Sequence, residues 1–286
     1  MTYPKVHTTR LSGLDFCPPS KKLKMKRVSV LGCPLTKLSL GECVALTDEF
    51  IGSKKPHYIA VVNVAKLIRM RDDSVLNESV SRADVIGADG VPLVWASRLL
   101  GEPLPGRVNG TDLMYRLLER ASEKKYRIFF FGAKEDVLEK VLETVRISYP
   151  GVRIAGSHHG YFSTHEEASI VKEIRDSSAD ILLIGFSTPK KELWVKQYLS
   201  AMGVPVVHGV GGSFDVLAGV IPRAPLWMQR NGLEWLFRLL QEPGRMWRRY
   251  LVTNTRFIIL LMKEWIRYRV ALLRFGVKAF EKDGHL

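Results

Sequence analysis

RIFFFGAKEDVLEKVLETVRISY, residues 127–149, decides the fold. Arg127–Phe131 is an unbroken apolar run, the pattern of a strand covered on both faces as in a parallel sheet. Gly132-Ala133 closes it. From Lys134 to Tyr149 the apolar residues then recur at helical spacing. The same strand–helix unit repeats downstream: a strand at Val152–Ser157, a helix at Thr164–Ser177, a strand at Asp180–Gly185, a helix at Lys190–Met202 and a strand at Pro205–Val210. Upstream, strands are predicted at Arg27–Cys33, His57–Val62 and Ala83–Ile86. Helices are predicted at Ser39–Ile51, Ala65–Arg71, Pro92–Leu100 and Gly110–Lys124. Ser39 and Glu42 have capping-box spacing. Strands alternating with helices over this length predict an α/β chain with a mainly parallel sheet sandwiched by helices in three layers.

Beyond the last strand the character changes. GVGGSFDVLAGVIPRAPLWMQRNGLEWLFRLLQEPGRMWRRY (209–250) begins as a glycine loop, turns at Pro222 and Pro225, and becomes basic and aromatic. A helix is expected over Leu226–Leu240, a break at Pro243-Gly244, and a second helical region from Arg245 towards Phe280. Arg256, Lys263, Arg267 and Arg274 fall on one side of that helix, beside a wide surface of Phe, Ile, Leu, Trp and Val. Such a stripe suits a helix lying in a membrane interface, or one packed on its own or another subunit's core. The expected organisation is a basic leader over residues 1–26, an α/β core over 27–222 and a helical basic appendage over 223–286.

The net charge of +14 is concentrated: residues 223–286 carry thirteen Lys and Arg against five Asp and Glu, so +8 lies in the last fifth of the chain. This directs attention to phosphate, nucleic acid or an anionic membrane surface. Nucleic acid is disfavoured, because RNP, zinc-finger and KH patterns are absent and the basic residues alternate with bulky aliphatics. Cys17, Cys33 and Cys43 are odd in number and show no metal-ligand spacing, which argues against a disulfide framework or a zinc site. His158-His159 lacks a partner carboxylate or thiol at metal-binding spacing. The N-terminus shows no signal-peptide pattern, and no apolar run reaches the ~18–20 residues of a membrane span.

Three places carry candidate chemistry. Asp89, in the loop after the Ala83–Ile86 strand, is placed to act as a general base, although Asp-Gly is also a common turn pair. Arg107 lies in a Gly/Pro loop, and guanidinium forks suit phosphate oxygens. Gly209-Val210-Gly211-Gly212-Ser213 resembles a dinucleotide fingerprint only loosely, yet its glycines would let backbone N–H groups approach a phosphate. Asp215 is read as a cap for a following helix.

The segments ADGVPLVW (88–95), GRVNGTDL (106–113), FFFGAKEDV (129–137), GYF (160–162), GFSTPKKELW (185–194) and the long 211–250 stretch resemble the WecG/TagA/CpsF family of bacterial glycosyltransferases, glycosyltransferase family 26. The resemblance spans about Arg27 to Tyr250. It implies a Rossmann-like core of the GT-E type and an inverting transfer of sugar from a UDP-sugar to a polyprenyl-diphosphate-linked saccharide. It also implies a peripheral location at the cytoplasmic face of the bacterial inner membrane. By position it assigns the base to Asp89, an active-site arginine to Arg107, and appendage arginines to Arg238, Arg245 and Arg248. Asn63, Lys191, Glu192, Gly211 and Gly212 are the expected substrate-binding positions. Two residues depart from the family pattern: Val61 replaces the usual Thr, and Lys191 the usual Gln. With no DxD motif, no metal or other cofactor is expected. The expected partners are the UDP-sugar donor, the lipid-linked acceptor and an anionic membrane surface. A homo-oligomer is compatible with this reading. The rival reading is a catalytically altered member acting as a membrane-bound interaction protein.

Overall fold

The computed structural model describes residues 25–283, apart from the side chains of Arg230, Arg245 and the residues from 273 onward. The basic leader, save its last two residues, lies outside the described residues. In chain order the elements are β1 (Arg27–Val30), β2 (Cys33–Thr36), α1 (Leu40–Ser53), β3 (His57–Val62), α2 (Val64–Asp72), α3 (Ser74–Ser81), β4 (Val85–Ala88), α4 (Val91–Leu99) and α5 (Gly110–Lys124). There follow β5 (Arg127–Gly132), α6 (Glu135–Ser148), β6 (Arg153–His158), a 3-10 turn at Thr164–Glu166, α7 (Glu167–Asp176), β7 (Ile181–Gly185), α8 (Lys190–Met202) and β8 (Val206–Gly209). The last elements are α9 (Ser213–Leu217), α10 (Leu226–Arg230), α11 (Glu234–Gln241) and α12 (Pro243–Asp283).

Six strands form one sheet in the order β4-β3-β8-β7-β5-β6, with every pairing parallel. Phe129, Phe130 and Phe131 are fully buried, as the unbroken apolar run requires. Successive side chains leave β5 on opposite faces. Phe129 and Phe131 accordingly join the core under α2, α3, α4, α7 and α8, while Phe130 joins the core under α1, α5, α6 and α9. Each such ring contributes about 2–3 kcal/mol by leaving water. The Ser39/Glu42 capping box forms as read, with Ser39 N donating to Glu42 Oε2 at 2.7 Å.

Several expectations need correction. The strand predicted over Arg27–Cys33 is two strands of an antiparallel hairpin, because Leu31 and Gly32 both take positive φ and reverse the chain. Its second strand covers the sheet edge: the Thr36 hydroxyl accepts from Ile86 N at 2.9 Å, occupying a donor that edge strand β4 would leave open. The helix α3 was not foreseen; Asp73 ends α2 and caps α3, accepting from Leu76 N at 2.9 Å. The single helix expected over Leu226–Leu240 is α10 plus α11. It breaks at Gly232, which has φ +71° and lies so close to Val91 that an added Cβ would meet Val91 Cγ2 at 2.6 Å. The break expected at Pro243-Gly244 falls just before that pair, and Pro243 opens α12, a position where its missing N–H costs nothing. Asp215 is not the N-cap of α9 but its third residue; the N-cap position is Gly212.

The helix α12 packs on the core through Phe257, with Leu260, Leu261 and Trp265 beside it. The cationic stripe therefore runs along the flank of the contact. Arg256 makes a fork to Asp72 of α2, with both bonds at 2.7 Å. The Arg274 side chain lies outside the described residues. Leu251, Ile258, Met262 and Ile266, on the side of α12 away from the core, are about half exposed. Among the described residues no helix is long and apolar enough to cross a membrane.

Candidate active site

The carboxyl ends of β3, β4, β7 and β8 gather at one rim of the sheet, where open α/β folds take their ligands. Asp89 follows β4 directly, and its N–H donates to Val62 O at 2.8 Å, holding it beside the end of β3. Among the described residues its side chain receives one hydrogen bond, from Asn109 Nδ2 at 2.8 Å. Asn109 cannot turn its amide round. Its Oδ1 caps α5 by accepting from Thr111 N at 2.9 Å and Asp112 N at 3.1 Å, so only its NH2 is left for the carboxylate. Burial pushes the Asp89 carboxyl up to about 6; the Arg238 guanidinium and, less strongly, Lys66 and Arg107 pull it down, and Glu234 adds to the rise. A carboxylate so placed is ionised at neutral pH and more basic than an ordinary aspartate, as a general base requires.

Beside it stands a closed ring of alternating charge. Arg107 Nη1 lies 2.8 Å from Glu234 Oε2, and Arg107 Nη2 lies 3.5 Å from Asp112 Oδ2. Arg223 pairs with Asp112 and lies 3.6 Å from Glu234 Oε1. The Arg223 guanidinium also sits 5.7 Å from the centre of the Tyr115 ring. Arg107 and Asp112 come from the core, Arg223 from the segment after α9, and Glu234 from α11. The ring thus fastens the last part of the chain to the sheet rim next to Asp89.

Under the rim lies a second cluster. Glu192 Oε1 lies 2.7 Å from Lys66 Nζ and 2.8 Å from Lys191 Nζ. Lys66 Nζ also donates to Val61 O at 2.7 Å, and the Thr188 hydroxyl donates to Glu192 Oε1 at 3.2 Å. Burial alone would raise the Glu192 carboxyl, but the two ammonium groups overcome it and hold it down to about 2. Lys191 is pushed down to about 8, by burial first and by the charge of Lys66 second. Its stem crosses Gly209 so closely that a Cβ there would fall 2.4 Å from Lys191 Cδ; glycine is what allows the crossing. His208 is fully buried between Ile59 O and Gly110 O, each 3.2 Å away, and burial pushes it down to about 4.

The structure thus brings Asp89, Arg107 and Arg238 together. Asn63 caps α2, its side chain accepting from Lys66 N at 3.0 Å. Lys191 and Glu192 are 4% and 0% exposed, with their charges turned on each other and on Lys66. Gly211 and Gly212 form the turn from β8 into α9, which Ser213 ties to α5 through a 2.8 Å bond between its hydroxyl and that of Thr111. Arg248 lies on α12 with its guanidinium 5.3 Å from the Trp247 ring centre, and the Arg245 side chain lies outside the described residues. Sequence reasoning passed over Asn109, Lys66, Asp112, Arg223 and Glu234. Asn109 could have been found, since Asn-Gly-Thr-Asp at the start of a helix marks it as an N-cap. The other four carry no local signal.

The chain matches the model of the glycosyl transferase WecG/TagA/CpsF family over residues 28–271, which includes most of α12. It is 40% identical over 206 residues to the N-acetylglucosaminyldiphosphoundecaprenol N-acetyl-beta-D-mannosaminyltransferase of Bacillus spizizenii, covering 72% of this chain and 79% of that one. It is 33% identical over 219 residues to the protein of the same name from Bacillus subtilis, covering 77% of this chain and 84% of that one. With a buried carboxylate at the rim of a parallel sheet and a family match across nearly all the described residues, the chain belongs to the WecG/TagA/CpsF family of glycosyl transferases.

Proposed function

We propose that this chain transfers a hexosyl group, with inversion, from a UDP-sugar to a saccharide carried on polyprenyl diphosphate in the synthesis of an envelope glycan. The observation that carries the mechanism is the Asp89 carboxylate, buried enough to be basic and set among cationic side chains at the sheet rim. Asp89 takes the proton of the acceptor hydroxyl. The oxygen forms its bond to the anomeric carbon on the face opposite the leaving group, and the bond from that carbon to the UDP oxygen breaks. The negative charge that gathers on UDP falls to Arg107, Arg238 and the positive floor made by Lys66 and Lys191. The donor nucleotide lies along the same rim, where the turn at Gly212 lets a phosphate approach the backbone, the Gly211 N–H being given to Ile184 O at 3.3 Å. A cavity of about 300 Å³ bordered by Lys134, Glu135, His159 and Tyr161 gives it room. The names of the relatives describe an N-acetylmannosaminyl group transferred to N-acetylglucosaminyl diphosphoundecaprenol. A related N-acetylhexosamine pair is the first choice here, with Val61 and Lys191 adjusting the donor.

The same reading makes the appendage the part that meets the lipid. Leu251, Ile258, Met262 and Ile266 form an exposed apolar row on α12, with Trp227, Trp235 and Trp247 also exposed nearby in sequence. Arg248 and Arg269 carry positive charge on the same helix. An apolar row edged by cations is the pattern of a helix lying in an anionic interface, on the cytoplasmic face where nucleotide sugars are made.

Two assays test this reading. UDP release is measured with a panel of UDP-sugars and a short-chain prenyl-diphosphate N-acetylglucosamine. Asp89→Asn should lower turnover at least ~100-fold while UDP affinity stays within about twofold; unchanged turnover removes Asp89 from the base role. Ile258→Asp with Ile266→Asp should abolish sedimentation with phosphatidylglycerol vesicles but leave turnover of the short-chain acceptor intact. Vesicle binding that survives both changes, or a change in oligomeric state in their place, assigns the face to something other than lipid.

A further inference from the structure

The Asp89 carboxylate is bonded to a neutral amide, although the Arg238 and Arg107 guanidinium groups both act on it across the rim. Arg107 and Arg223 are both turned to other carboxylates, and one of these, Glu234, arrives from the far end of the chain. Its arrival is built into the packing. Gly232, two residues earlier, is pressed against Val91, two residues after Asp89, and its φ of +71° breaks the helix there. That break starts α11 at Glu234, within 2.8 Å of Arg107. We infer that Glu234 is a positioning residue: by holding Arg107 within the ring it keeps that guanidinium from pairing with Asp89, so that docking of the appendage sets the basicity of the catalytic carboxylate. This deepens the proposed reading of Asp89 as the base and rests on it.

The physical reason is direct. A carboxylate paired with an arginine falls well below its ordinary range and becomes a poor proton acceptor. The charged groups that act on Asp89 come from three sides: Arg238 and Glu234 on α11, Arg107 in the loop before α5, and Lys66 on α2. Among the described residues three are cations and one is an anion. Removing the anion takes away a charge that raises Asp89 and leaves Arg107 with only its longer contact, 3.5 Å to Asp112, and both changes pull the carboxyl in one direction, downward.

The test uses the full chain with Glu234→Gln, Glu234→Asp and Glu234→Ala. Asp89 is followed by 13C carboxyl NMR, assigned with Asp89→Asn, and kcat/KM is followed from pH 4.5 to 8. In Glu234→Gln the titration midpoint of Asp89 and the acid limb of the rate profile should both fall by about one pH unit, with UDP affinity little changed. Glu234→Asp, which keeps the charge, should restore most of the shift. Glu234→Ala gives the same reading as the glutamine variant should that one fail to fold. A midpoint equal to wild type in the neutral variants overturns the inference, since a role confined to fastening α11 would lower melting temperature and rate without moving either pH curve. A midpoint that moves while the rate profile does not supports the hold of Glu234 on Asp89 and removes Asp89 from the base role.

Discussion

Asp89→Asn should make the folded protein more stable while destroying its activity. Burial raises this carboxyl from an ordinary 3.8 to about 6 in the folded state. A raised acid favours its protonated form on folding, so the charged form costs stability. The cost is full above pH 6 and fades as pH falls towards 3.8. Two pH units correspond to about 3 kcal/mol, and partial contact with water reduces that to about 2. Asparagine is nearly isosteric and can still accept from Asn109 Nδ2, so it removes the charge and little else. The gain should be about 2 kcal/mol at pH 8, or roughly 4–8 °C in melting temperature for a chain of this size, and should shrink to about a third of that at pH 4.5. The comparison must be made between variants at each pH, because His208 works the other way. Its folded value is lowered to about 4, so it contributes stability that is present above 6.5 and lost as pH falls towards 4, equally in both proteins. Urea unfolding at pH 8 and pH 4.5 reads the difference. A variant less stable than wild type at pH 8, or one with the same gain at both values, would refute the claim that Asp89 is kept basic at the expense of the fold.

Two further outcomes test the floor of the site. Glu192→Ala leaves the Lys66 and Lys191 ammonium groups buried without their shared carboxylate, and should cost about 3–5 kcal/mol in urea unfolding; a loss below about 1 kcal/mol would mean that water already reaches the cluster. Gly209→Ala drives a methyl group against the Lys191 stem and should cost about 1–3 kcal/mol, with the loss largely relieved when Lys191 is shortened in the same chain. An unrelieved loss would place the strain in the backbone of β8 instead.

How much of this was legible beforehand follows from the range of each interaction. The α/β class, the placing of β3, β5 and β7, and the Ser39 cap could be read directly, because unbroken apolar runs, helical spacing and caps are set within a few residues. Asp89 could be picked out because a carboxylate after a parallel strand must lie at the rim. The hairpin at Leu31-Gly32 was missed because a run of β-forming residues hides a two-residue reversal. The break at Gly232 was missed because its cause, contact with Val91, lies far away in sequence.

The order β4-β3-β8-β7-β5-β6 also lay beyond the sequence, since it depends on which crossovers pack and not on any strand's own residues. The ring of Arg107, Asp112, Arg223 and Glu234 joins residues up to 127 apart, and the Lys66–Glu192 pair spans 126. Charges on such distant segments acquire meaning only once the fold excludes water between them, because screening in water leaves little of their attraction. The sequence by itself determined a parallel sheet, a carboxylate at its rim and a basic, apolar tail. Only the tertiary structure decided that the tail returns to that rim, places Glu234 against Arg107, and leaves Asp89 to a neutral amide.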